Sequence, residues 1–200
     1  MDAPTQYALA YVLSSTAGIR VFVTLLAVSL AMHWGFLPPP AHQFAWLASD
    51  GALAVLVVAS ILEVLGDKIP LLDHGLHVLH TVAKPLAGAL IAGSVVQPGN
   101  DPSLLLLGVL GGANALAIHG VSATARAAST ATTGGLANPI VSVVEAGLAL
   151  GGILLGWFMP FLAAAIVLAA TIVAIVCVRR LLAYVAAHRQ RRLEASTATT

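Results

Sequence analysis

Between Leu62 and Gly88 the chain reads LEVLGDKIPLLDHGLHVLHTVAKPLAG, with long apolar runs on either side. This stretch holds Glu63, Asp67, Lys68, Asp73, His74, His77, His80 and Lys84. Charge at the middle of a bilayer costs roughly 2.5–3.5 kcal/mol per group on insertion scales. A chain that gathers it in one stretch is expected to use it there. Asp73, His77, His80 and Lys84 fall at i, i+4, i+7 and i+11, so all four share one helical face. That face suits acid–base work, because an imidazole titrates near neutrality. His74, His77 and His80 also read H-x-x-H-x-x-H, a spacing that can present two imidazoles to one metal, with Asp73 adding oxygen. Three such ligands drift around a helix by about 60° per step, and no HExxH motif or cysteine pair sharpens the case. Neither a metal nor a cofactor is assigned. The polar face either lies in the lipid headgroups with its long side chains reaching outward or lines a cavity. Lys84 followed by Pro85 favours a helix broken at that point and lining a cavity, since irregular backbone at membrane depth survives only where protein or water satisfies it.

Four further charges lie in apolar surroundings: Arg20, Glu63, Arg126 and Glu145. Opposite charges at such depth are expected to pair, here as Arg20–Glu63 and Arg126–Glu145. They either hold helices together or handle a substrate or proton. Thr16-Ala-Gly-Ile-Arg20 and Ser122-Ala-Thr-Ala-Arg126 share the pattern [ST]-A-x-x-R in hydroxyl-rich, small-residue surroundings. Paired broken helices in two halves of three spans point to an inverted-repeat transporter; a chance match in an Ala-rich chain is the alternative. Gly88, Gly93, Gly108, Gly111, Gly112, Gly147, Gly151 and Gly152 allow close helix approach. This serves packing within one bundle or, alternatively, a homodimer.

The elements that must position these groups follow from composition. Hydrophobic residues make up 59% of the 200 residues and charged residues 8%, against about 25% charged in a soluble domain. Mean hydropathy is +0.96. The fold class is all-α, a polytopic membrane bundle in one domain. Six spans of about 20 residues are expected, enough for a core of roughly 30 Å: 11–34, 44–66, 75–97, 103–126, 139–158 and 161–182, the third broken at Pro85. GFLPPPAHQ, GDKIPLLD, QPGNDPS, STATTGGLAN and FMPF read as connections. The apolar runs are continuous, not alternating, which excludes a β-barrel. Residues 1–10 are expected as an N-terminal tail, 11–187 as the transmembrane domain and 188–200 as a basic, disordered tail. No cleaved leader is expected, because a basic start is missing and the first apolar segment is too long.

Orientation follows from Lys and Arg. Arg179, Arg180, Arg189, Arg191 and Arg192 put the C-terminus in the cytoplasm. Six spans then place the N-terminus there too. Lys68 and Arg126 fall inside, and the outer loops contain no Lys or Arg. The arginine cluster is a topology and lipid-headgroup anchor, not a nucleic-acid patch. Cys177 is a lone small hydrophobe within the last span.

The chain resembles a family of bacterial integral membrane proteins, domain-of-unknown-function family 4126. The blocks that carry the resemblance are AGIRVFVTLLAVSLA, LEVLGDKIPLLD, HTVAKPLAGAL and HGVSATAR, and it covers residues 14–180. It implies a helical integral membrane protein and no particular activity. The family pattern often has an arginine where Lys84 stands, an acid near His77 and a second acid where Ala146 stands. Those departures weaken a metal or proton-relay role that needs those groups.

The leading expectation is a small transporter or flippase-like protein with an inward-facing polar cavity. Arg20, Lys68, Lys84 and Arg126 would bind an anionic or phosphate-bearing small molecule or lipid. Glu63, Asp67, Asp73, His77, His80 and Glu145 would balance those cations and relay a coupling proton. The alternatives are a membrane-embedded enzyme using His and Asp, or a non-catalytic assembly factor. They differ in what they yield: flux, a product or bound metal, or neither.

Overall fold

The computed structural model describes the backbone at residues 1–66, 70–96 and 103–197, and the side chains at 1–66, 80–96, 105–180 and 183–184. Among the described residues seven α-helices follow in order: α1 (Ala3–Ile19), α2 (Val21–His33), α3 (Asp50–Gly66), α4 (Pro70–Val95), α5 (Ser103–Thr133), α6 (Asn138–Phe158) and α7 (Pro160–Thr197). A 3-10 segment, His42–Ala48, precedes α3. No strand occurs among the described residues. The chain is a polytopic helical membrane bundle. Leu105–Thr133, Asn138–Phe158 and Pro160–Arg180 are each long and apolar enough to cross a bilayer. The 3-10 segment and α3, bent by 62°, make a fourth crossing if taken as one. α1 begins at Ala3, inside the stretch expected as a tail. α7 runs to Thr197 and so takes in residues 188–197 of the stretch expected as a C-terminal tail.

The expected first span, 11–34, is two helices. Arg20 separates them in extended conformation (φ −130°, ψ 107°). Hydroxyls loosen the approach to the break: Ser14 and Ser15 donate to Tyr11 O, and Thr16 donates to Leu13 O. Such back-bonding bends helices. At the break the chain reverses. As one straight helix, Leu9 and Phe36 would stand about 40 Å apart. Instead Leu9 lies beside Gly156, and the Phe36 ring stacks on Trp157 with centroids 6.4 Å apart. α1 therefore enters from the end marked by Trp34, Phe36 and Trp157, turns at Arg20, and α2 returns to that end. α1 is the buried centre of the bundle, with Leu9, Val12, Leu13 and Ala17 at most 1% exposed, and α4, α5, α6 and α7 pack around it.

The break expected at Pro85 is absent. α4 runs unbroken over 26 residues with Pro85 inside it. Membrane helices tolerate proline where neighbouring helices support them, and here α5 does so at close range. A Cβ on Gly88 would lie 2.5 Å from Gly111 O, and one on Gly112 would lie 2.9 Å from Pro85 O. The two backbones touch, as small residues in membrane interfaces permit. The inverted-repeat reading also loses its basis, because Arg126 sits inside the unbroken helix α5 while Arg20 sits at a break.

Candidate functional site: a charged layer at the helix break

α2 starts in the bundle interior, so its first N–H groups need acceptors from outside the helix. Glu63 on α3 supplies them. One carboxylate oxygen accepts from Val21 N at 2.7 Å; the other accepts from Phe22 N at 3.0 Å and Val23 N at 3.2 Å. A carboxylate at a helix N-terminus also meets the positive end of its dipole. Arg20 directly precedes these three residues and caps α2 in extended conformation. Its Nη2 donates to Ser142 O at 3.0 Å and Ser142 Oγ at 2.7 Å, which ties the break to α6. His80 on α4 stands 3.9 Å from Glu63 through Nε2.

One helical turn along α4 from His80, Lys84 is 5% exposed and its Nζ lies 3.0 Å from His119 Nδ1 on α5. Further along the same face of α5, Ser122 Oγ donates to Glu145 of α6. Arg126 meets Glu145 through both Nη2 and Nε, the latter at 3.2 Å from Oε2. Thus Arg20 at the break, Glu63 on α3, His80 and Lys84 on α4, His119 and Arg126 on α5 and Glu145 on α6 form one layer. Groups of these kinds can bind anions and exchange protons. The described cations are three and the carboxylates two.

Asp67 and Lys68 lie outside the described residues. Asp73 and His77 fall on α4 with side chains outside the described set. No group of three His, Cys, Asp or Glu fit to hold a metal occurs among the described residues.

The sequence analysis assigns no role to His119 or Ser142, and it marks Ser122 only as the start of the [ST]-A-x-x-R pattern. A signal existed: His119, Ser122 and Arg126 sit at i, i+3 and i+7, and Ser142 and Glu145 at i and i+3, so each set shares a face. What sequence alone does not provide is that these faces meet. On the other side of the layer, a cleft of about 600 Å³ opens between α1, α5, α6 and α7. Its walls are mostly apolar, among them Ile118, Leu148, Leu155 and Ile166, and its polar lining is Ser15, Thr16, Ser122, Glu145 and Thr171. Toward the aromatic end, Asn114 of α5 binds α1 through Tyr11 O, Ser14 Oγ and Ser15 Oγ at 2.7–3.2 Å.

Comparison with known proteins matches no curated protein and no solved structure. One family model matches, described as a domain of unknown function (DUF4126), over residues 7–180. That match takes in α1 to α6, most of α7 and every member of the charged layer. The chain belongs to the DUF4126 family.

Proposed function

We propose that the protein is a small transporter of the flippase-like kind, moving an anionic or phosphate-bearing group through the charged layer. The observation that carries this reading is the interrupted helix at Arg20, with Lys84 and Arg126 in the same layer. Helix breaks at membrane depth recur where transporters hold ions and substrates, and arginine and lysine are the natural partners of carboxylate and phosphate. The mostly apolar cleft, which shares Ser122 and Glu145 with the layer, supports an amphiphile whose chain lies in the cleft and whose charged group reaches the layer. Arg20, Lys84 and Arg126 contribute the binding charge; Glu63, His80 and Glu145 balance it. Lys68, Asp67, Asp73 and His77 keep the roles their sequence positions give them.

The topology that goes with this reading has five crossings, α3 to α7, and a re-entrant hairpin formed by α1 and α2. The bacterial inner membrane is its location. The basic end of α7 lies in the cytoplasm by the positive-inside rule, with the α3–α4 and α5–α6 connections. The aromatic end is periplasmic, and its segments, residues 1–19 among them, contain no Lys or Arg. The N-terminus is then periplasmic, which replaces the six-span arrangement with both ends inside. In a Cys177→Ala background, a cysteine at Asp2 labels from the periplasm and one at Thr197 only from the cytoplasm. Labelling of both from one side would reject this topology.

Flux is tested in proteoliposomes with two probes, radiolabelled inorganic phosphate and fluorescently labelled phosphatidylglycerol. Wild-type protein moves at least one of them, and folded Lys84→Gln moves neither. Folded wild-type protein that moves neither probe would overturn the reading. A chemically altered lipid would favour the enzyme instead.

A further inference from the structure

The charges of the layer can be balanced group by group among the described residues. Arg20 and Arg126 stay protonated at any working pH. Both oxygens of Glu63 accept from backbone N–H groups, and Glu145 accepts from Ser122 and Arg126. Each carboxylate is thus surrounded by donors, as its ionised form requires. Those four groups sum to zero. His80 faces Glu63. The remaining described cation is Lys84, with His119 against it at 3.0 Å, both nearly inaccessible at 5% and 7% exposed.

A hydrogen bond between an ammonium and an imidazole nitrogen holds one proton between two bases. Either Lys84 donates to neutral His119, or His119 Nδ1–H donates to the neutral amine. Gaining or losing that proton changes the charge of the layer by one. In a low-dielectric interior an added charge is costly unless it is compensated. A singly charged anion that joins the layer therefore favours uptake of one proton, and its departure favours release of that proton to water. Resting on the transporter reading above, we propose that Lys84 and His119 are the proton-carrying pair of one-to-one proton–anion symport. The substrates are singly charged carboxylates or phosphodiesters.

The test is calorimetric and independent of flux. Protein in lipid nanodiscs is titrated with dihexanoyl phosphatidylglycerol, a soluble phosphodiester lipid with one charge. A parallel arm uses diethyl phosphate, which has the same group without acyl chains. Repeating each titration in buffers of different ionisation enthalpy gives the protons taken up per anion bound. Wild-type protein takes up about one proton per anion at pH values above the titration of the pair, and its apparent affinity falls there about tenfold per pH unit. Lys84→Arg cannot release its proton, so it binds with no uptake and a flat pH dependence. If Lys84→Arg does not fold, Lys84→Gln serves: it binds more weakly, again without uptake. Uptake in the lipid arm alone identifies a lipid headgroup as the anion; uptake in both arms identifies a free one. Binding without proton uptake across about pH 6–10, or uptake that survives in Lys84→Arg, would overturn this inference and leave the transporter reading standing. No binding in either arm by folded wild-type protein would overturn both.

Discussion

The α1–α2 junction and the α4–α5 seam are held in opposite ways. At the junction the backbone is interrupted, and its exposed N–H groups are satisfied by Glu63, a carboxylate some 40 residues away in sequence. At the seam the backbone is continuous through a proline, and glycines let the two helices touch backbone to backbone. Arg20 is neither proline nor glycine, yet the helix ends there; Pro85 would end many helices, yet this one passes through. In a bilayer the outcome is set by whether a partner satisfies the freed groups. Local propensity decides less. The junction gains its partner in Glu63 and the seam gains its support from close packing.

If that contrast is right, substitutions should rank by how much unsatisfied polarity they leave. Glu63→Leu is the most damaging, because it strands three N–H groups and the Arg20 charge in the interior. We expect a loss of about 3–5 kcal/mol in unfolding by SDS titration, with Glu63→Gln recovering part of it. A Glu63→Leu protein as stable as wild type would remove the cap from the account. Arg126→Leu comes next. It leaves Glu145 buried without its guanidinium, but Arg126 is itself about a fifth exposed, so a smaller loss of about 2–3 kcal/mol is expected. At the seam, Gly88→Ala pushes a methyl into Gly111 O and Ala115 and should cost about 1–3 kcal/mol. Pro85→Ala closes the ranking: it leaves the packing in place and should shift stability by no more than about 1 kcal/mol. A large gain from Pro85→Ala would mean that α4 is strained at that point after all.

Much of the fold is legible in the sequence because hydrophobic run length is a strong signal in membranes. Expected spans 139–158 and 161–182 coincide closely with α6 and the first part of α7. The hairpin is not legible, because residues 11–34 are as apolar as a single span and the reversal depends on Glu63, Ser142 and Trp157, all distant in sequence. Propensity points to a break at Pro85; the cap puts it at Arg20. Arg20, Glu63, Lys84, Arg126 and Glu145 stood out because charge is rare in these runs. His119 and Ser142 did not, since a lone histidine or serine in an apolar helix has no signal until its neighbours across the interface are known.

The central claim is that the first apolar segment enters the membrane and turns back at Arg20. Spin labels at Tyr7 and Phe36, both exposed, report it directly through their separation in lipid nanodiscs with Cys177 replaced. The hairpin brings both sites to the aromatic end, no more than about two helix diameters of 10–12 Å apart. A distance distribution centred below about 30 Å, labels included, is the expected result. One centred near 43 Å, the length of an unbroken helix between those positions, would mean that the segment crosses the membrane once and that Glu63 caps no re-entrant turn.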